Sequence, residues 1–218
     1  TKSMRLQLTK TASLVTVGAL RQVLQKPEAK RYGLFFVLLI LVQGALFWAD
    51  SAVQFFMRDS ASYILSAITR IPPTDRSFVY GYFIRWVALS THSLTALVAA
   101  QILLACGASA VTFHILTRYF RARFWIALCA ALLLSFEPLQ ILYARYALTE
   151  ILALFIFTLY LWVILHYFET SKACWLVVVQ ALAVLLISIR FAFIPVAWIG
   201  AVIIPLIGFW GKAKRRED

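Results

Sequence analysis

The chain has 218 residues, of which 63% are hydrophobic and 14% charged, whereas soluble domains sit near half apolar and a quarter charged. That balance excludes an ordinary soluble domain and makes lipid the expected solvent. The formal net charge of +12 would also fit nucleic acid, but basic residues gathered in the loops on one side of a membrane protein give the same total, so their location decides.

Residues 1–32 form a basic segment in which Leu6, Leu8, Leu14, Val15 and Leu20 lie among cations, the pattern of an interfacial helix on anionic lipid. The first apolar run starts too far in, and is too long, for an ordinary cleaved signal peptide. A membrane-crossing helix needs about 20 apolar residues, with a range of about 17 to 25. Six stretches qualify, at 33–49, 95–117, 119–142, 151–167, 173–189 and 191–210. Together they make residues 33–210 a transmembrane domain of the all-α, polytopic class. Glu137 and Pro138 interrupt the third stretch. A proline inside a helix removes a backbone hydrogen bond, so a kink is expected there, or a break followed by a short interfacial helix.

The longest connection, residues 50–92, carries a possible amphipathic helix at Ser60 to Ile68 and a turn at Pro72, Pro73, Thr74 and Asp75. It then runs into RSFVYGYFIRW (76–86), whose aromatics suit a headgroup region. The chain closes on a basic tail, 211–218. No internal repeat, low-complexity tract or boundary to a soluble domain is evident.

With both ends cytoplasmic, the six spans put fifteen of the 21 basic residues inside and leave Arg58, Arg70, Arg76, Arg85, Arg145 and Arg190 outside. The positive-inside rule selects this orientation, which removes the need for nucleic acid as a partner. Every outer cation is an arginine and every lysine is inner. Arginine keeps its charge and offers phosphate a planar fork of donors. The outer acids are Asp50, Asp59, Asp75, Glu137 and Glu150. Outer charges are thus nearly balanced and sit close to span ends, where ionisable groups find partners or line a polar cavity.

Two readings of Asp59 stand side by side. As an N-cap it would start a helix at Ser60; as a carboxylate facing a cavity it would serve as general base or metal ligand. Glu150 suits the positive end of the helix dipole at the start of the fourth span, and Arg145, five residues earlier, is a candidate partner. Arg190 either snorkels to the headgroups or binds an anion. Glu137 is expected to cap the helix after the break. His92, His114 and His166 are too scattered for a catalytic set. Cys106, Cys129 and Cys174 read as small hydrophobes, and Gln43, Gln101 and Gln180 as hydrogen-bond partners between helices. No Walker loop, GxSxG, HExxH or CxxC is present, so nucleotide-driven, hydrolase and zinc chemistry have no motif behind them.

The stretches RDSASYILSA (58–67), DRSFVYGYFIRW (75–86), FEPLQILYARYALTEILALFIF (136–157) and ISIRFAFIPV (187–196) together resemble the GT-C superfamily of membrane glycosyltransferases, closest to protein O-mannosyltransferases and aminoarabinose transferases. In that family an aspartate of the first outer loop, often within D-x-x-x-Y, is catalytic; Asp59 and Tyr63 match it. Pro138, Thr149 and Glu150 match a proline near a span end followed by Thr-Glu, and Arg190 an arginine before a late proline-containing span. The family usually has seven core spans and further helices, so six imply a compact member, a fragment, or a relative that acts as a partner.

The resemblance implies transfer of a sugar, with inversion, from a polyprenyl-phosphate donor to a lipid, glycan or protein acceptor on the extracytoplasmic side of the plasma (inner) membrane. Asp59 would deprotonate or orient the acceptor. Arginines among Arg58, Arg76, Arg85, Arg145 and Arg190 would stabilise the departing lipid phosphate. Glu150 would hold a sugar hydroxyl, Arg145 or a metal ion, while Tyr63, Tyr80 and Tyr82 would stack on sugar or isoprenoid. A divalent cation is a candidate cofactor with Asp59 and Glu150 as its ligands, although spacing in sequence does not fix coordination geometry. The alternatives are a non-catalytic lipid-binding or assembly subunit of the same fold and, last, a transporter with an inverted repeat.

Overall fold

The computed structural model describes residues 27–73 and 76–208, with side chains from residue 30 onward except that of Arg58. The first 26 residues of the expected interfacial segment 1–32, the turn residues Thr74 and Asp75, the last two residues of the sixth stretch and the basic tail lie outside the described residues.

Among the described residues the fold is all-helical, with no strand and one isolated bridge between Gln54 and Tyr146. Helix α1 spans Pro27–Ala49, α2 Met57–Thr69, and α3 Phe78–Ile84, which continues as a π turn, Arg85–Leu89. Then come α4 (Leu94–Arg118), α5 (Phe124–Phe136), α6 (Pro138–Tyr143), α7 (Glu150–Thr170) and α8 (Ala173–Ile189). A 3-10 turn (Phe191–Phe193), α9 (Ile194–Trp198) and a second π turn (Ile199–Ile203) follow. The chain divides into two compact units, residues 1–41 and 42–218. The second holds the end of α1 and everything after it.

Four helical segments are long and apolar enough to cross a membrane: Lys30–Ala49, Leu94–Arg118, Glu150–Thr170 and Phe191–Gly208. The six apolar runs of the sequence thus give four helices of that length, for two physical reasons. At 17 residues, α8 is about 25 Å long at 1.5 Å per residue, short of a hydrocarbon core of about 30 Å. The third run is split: α5 has 13 residues and stops where Pro138 withholds the amide that would continue its ladder. Glu137 takes a non-helical conformation and its carboxylate accepts from the Gln140 amide at 2.7 Å, capping α6, whose first residue is Pro138. That is the break, and the cap, expected from the sequence.

A broken helix leaves carbonyls without intrahelical donors. The Gln43 amide fills that need from α1, donating to the Ser135 carbonyl at 3.0 Å and to the Ser135 hydroxyl at 2.5 Å, all of it buried. Gln180 acts likewise at the second π turn, donating to the Gly200 carbonyl at 2.6 Å. The intramembrane glutamines therefore serve places where helices are irregular. Gln43→Leu, which leaves the Ser135 carbonyl unpaired, is expected to lower stability by about 1–2 kcal/mol, checked by thermal unfolding in detergent.

Helix α7 packs on α8 and α4, α4 also packs on α5, and α2 packs on α3. The α4/α7 approach depends on Gly107, where a Cβ would come within 2.6 Å of the Phe155 ring. One buried cluster lies directly beneath the site described next: Tyr63, Ala67, Tyr80, Ile84, Ala88, Leu97, Ala147 and Leu148. It joins α2, α3, the start of α4 and the segment leading into α7.

Candidate functional site

Two sets of ties between irregular segments build the site. Segment 54–60 is tied to segment 145–148: the Gln54 amide donates to the Arg145 carbonyl at 2.9 Å and the Ala147 amide to the Gln54 carbonyl at 3.1 Å. Ser60, fully buried, adds a hydroxyl bond to the Ala147 carbonyl at 3.1 Å and accepts from the Phe56 amide. These bonds hold the start of α2 against the start of α7. On the other side, the Ser77 hydroxyl caps α3 by accepting from the Tyr80 amide and donates to the Ser188 carbonyl of α8 at 2.8 Å. Arg76 and Arg190 are thereby carried to the same place.

A cavity of about 360 Å³ lies between these ties, lined among others by Asp59, Tyr63, Arg76, Thr149, Glu150 and Arg190. Its charges form two ion pairs. The Arg76 guanidinium meets Asp59 at 2.7 Å and that of Arg190 meets Glu150 at 2.5 Å. All four side chains are between 24% and 40% exposed, so neither pair is sealed and each contributes at most about 1 kcal/mol of net stability. One carboxylate oxygen of Glu150, Oε2, is buried with no hydrogen-bond partner.

Several sequence expectations about these residues change. Asp59 is not the N-cap: α2 begins at Met57 with Phe56 in the capping position, and Asp59 sits in the first turn. A carboxylate there still meets the positive end of the helix, and its side chain points to Arg76 rather than to a backbone amide. Glu150 pairs with Arg190, forty positions on, and not with Arg145. Arg145 instead closes the end of α1, bonding the Leu46 carbonyl at 2.9 Å, the Asp50 carbonyl at 3.1 Å and the Asp50 carboxylate at 3.1 Å. A cation is favoured at that helix end by the dipole, and Arg145 is absent from the cavity wall.

Tyr63 lines the cavity and is hydrogen-bonded to Thr149. Burial, more than any charge nearby, pushes its phenol above the ordinary value of 10.0. Tyr80 is fully buried beneath it, edge-on at 5.0 Å between ring centroids, with its hydroxyl on Gln101 at 3.3 Å. Burial pushes that phenol up still further, with Glu150 adding to the effect. The folded protein holds both protons where the unfolded chain would release them. This contribution to stability is therefore complete below pH of about 10 and lost as pH rises beyond it. A falling unfolding temperature above pH of about 10, shallower in Tyr63→Phe, is the expected result.

Arg85 and Tyr82 belong to a second, apolar groove of about 700 Å³. Val79 and Phe83 of α3, Leu152 and Ile156 of α7, and Leu185 and Ile189 of α8 line it, each pair spaced four apart and so on one helix face. Ile189 lines both the groove and the polar cavity. Trp86 and Tyr82 at its edge are 84% and 55% exposed. Arg85 also donates to the Ala67 carbonyl at 2.8 Å.

Among the described residues no three potential metal ligands of the His, Cys, Asp or Glu types come together. Asp59 and Glu150 share the cavity, but each faces a guanidinium instead of a neutral oxygen donor. With both carboxylates already paired, the described residues hold no preformed all-protein cage for a divalent ion. At the far ends of α4 and α7, His114 and His166 flank Trp162, and the Arg118–Glu169 pair closes at 2.7 Å.

The sequence reading missed Ser77 and Ser188, which fix the arginines in place. A serine just ahead of an aromatic run that turns helical was a readable N-cap signal for Ser77. Nothing local marks the Ser188 carbonyl. Compared with known proteins, the chain matches no family model, no curated protein and no solved structure.

Proposed function

We propose that the protein is a membrane glycosyltransferase of the GT-C kind, moving a sugar from a polyprenyl-phosphate donor to an acceptor on the extracytoplasmic side of the plasma membrane, with both chain ends cytoplasmic. The observation carrying this reading is one polar cavity that collects Asp59, Arg76, Glu150 and Arg190 from four segments and shares its Ile189 wall with an apolar groove. An amphiphile with a polar, phosphorylated head and a hydrocarbon tail fits two such adjoining spaces. Both volumes lie in the range of about 300–1,000 Å³ usual for ligand pockets.

In this reading α5 with α6 and α8 complete six crossings alongside the four longer helices. Asp59, held in the first turn of α2, takes the acceptor's proton as the acceptor attacks the anomeric carbon. Charge grows on the departing lipid phosphate, where Arg76 and Arg190 stabilise it. Glu150 receives sugar hydroxyls through the oxygen that Arg190 leaves unused. The tail lies along the groove past Arg85.

A second reading, a lipid-binding subunit that transfers nothing, draws on one observation: both carboxylates are neutralised by arginine. Purified protein in lipid vesicles, given radiolabelled polyprenyl-phosphate sugar and a mixed acceptor extract, separates the two. Label leaving the lipid phosphate with inverted anomeric configuration supports transfer; label that stays on co-purifying lipid supports the subunit.

A further inference from the structure

The cations and anions of the polar cavity are mounted differently. Asp59 and Glu150 stand in the first turns of α2 and α7, fixed by their helices. Arg76 stands in a bend ahead of the α3 cap, and Arg190 in an extended residue between α8 and the following 3-10 turn. Each pair is made through a single guanidinium nitrogen, at 2.7 Å and 2.5 Å, where an arginine can offer a two-bond fork. One oxygen of Glu150 takes no hydrogen bond from any protein donor, so it is open to a hydroxyl donor. The four charges cancel, so the cavity carries no net charge to draw a simple anion or cation.

We propose that each half of these ion pairs stands in for one half of the ligand, and that binding is an exchange of partners. The phosphate of a lipid-borne glycosyl phosphodiester takes the Arg76 and Arg190 guanidinium groups. The Asp59 and Glu150 carboxylates, released, accept the hydroxyl donors of the sugar and the acceptor. Asp59 is therefore free to act as a base only while the phosphate is in place, which guards the donor against attack before the site is filled. The ligand must carry an anion and hydroxyl donors together: an anion alone strands the carboxylates, and a neutral sugar leaves the arginines where they are. This rests on the preceding section for the ligand class, whereas the exchange is a property of binding and holds whether or not transfer follows.

The test is direct binding to purified protein in detergent, followed by calorimetry, with four probes: a short-chain alkyl glycosyl phosphodiester, the same chain on phosphate without sugar, the neutral alkyl glycoside, and inorganic phosphate. The unaltered protein is expected to prefer the first. Asp59→Asn and Glu150→Gln should tighten the sugar-free alkyl phosphate by about two- to fivefold, the range set by partly exposed ion pairs, and erase the preference for the glycosyl form. Arg76→Gln and Arg190→Gln should weaken both. Asp50→Asn, a carboxylate not on the cavity wall, should change neither.

Unchanged or weaker alkyl phosphate binding in Asp59→Asn and Glu150→Gln would overturn the exchange, and so would equal tightening in Asp50→Asn, which would point to long-range charge alone. Inorganic phosphate binding as tightly as the alkyl form would assign the arginines to a free anion and remove the lipid from the proposal. If the variants do not fold, ligand-difference infrared spectra of the unaltered protein decide: carboxylate stretching bands that shift on binding the glycosyl probe support the exchange, and bands that stay fixed end it. Exchange without sugar transfer in vesicles would leave this inference standing and remove the transferase, and transfer without exchange would do the reverse.

Discussion

Asp59→Asn is expected to lower the rate of sugar transfer by about 100- to 10,000-fold, the range over which a positioned general base contributes, while the protein stays folded. Asparagine keeps the shape of the side chain and can still accept from Arg76, but it cannot take up a proton. The Asp59 side chain is about one-third exposed and its ion pair has one contact at 2.7 Å, so the stability change should stay within about 1 kcal/mol. The loss should appear in the maximal rate and much less in donor affinity, because donor phosphate is held by the arginines. Arg76→Gln should do the opposite and raise the donor concentration needed for half-maximal rate. A wild-type rate in Asp59→Asn would take this residue out of the mechanism, whatever the cavity looks like.

Much of this arrangement was legible in the sequence wherever a local rule governs it. The apolar excess pointed to helices in lipid, Pro138 to a kink or a break, and Glu137 before it was a ready cap. Asp59, Glu150 and Arg190 stood out because ionised groups near span ends need partners. Local reasoning failed where a partner is chosen in three dimensions. Arg145 is five residues from Glu150, yet it serves the end of α1 through the Leu46 and Asp50 carbonyls, because the carbonyls of a helix end compete well for a nearby cation. That leaves Glu150 for Arg190, a pairing that no spacing along the chain suggests. The start of α2 was misplaced by three residues for a similar reason. Ser60, which sequence patterns would put just after a capping aspartate, is instead buried and bonded across to Ala147. Counting apolar residues also overstates the number of long helices, since a run of 17 or more can contain a break or stop short, as α5 and α8 do.

The largest stability effect is expected at Gln101, a residue of α4 that is 1% exposed. Its amide donates to the Tyr143 carbonyl at 3.0 Å and the Tyr146 carbonyl at 2.8 Å, and its oxygen accepts from the Tyr80 hydroxyl at 3.3 Å. Tyr143 ends α6, so its carbonyl has no intrahelical donor and depends on this bond. Tyr146 is the bridge partner of Gln54 and leads directly to Thr149 and Glu150. Gln101→Leu fills the same space but leaves the part-buried Tyr143 carbonyl and the fully buried Tyr80 hydroxyl without these bonds. At about 1–3 kcal/mol for each stranded group, the loss should total about 2–6 kcal/mol, readable as a drop in unfolding temperature on the order of 10 °C. Tyr80→Phe removes only one donor and should lose about 1 kcal/mol. Because the same bonds fix the entry to α7, Gln101→Leu should also weaken binding of the glycosyl phosphodiester at temperatures where the protein is still folded, whereas Gln43→Leu, whose bond lies at the α5 break, should not. Equal effects of the two substitutions on binding would mean that the Tyr143–Glu150 segment is held in place by packing alone.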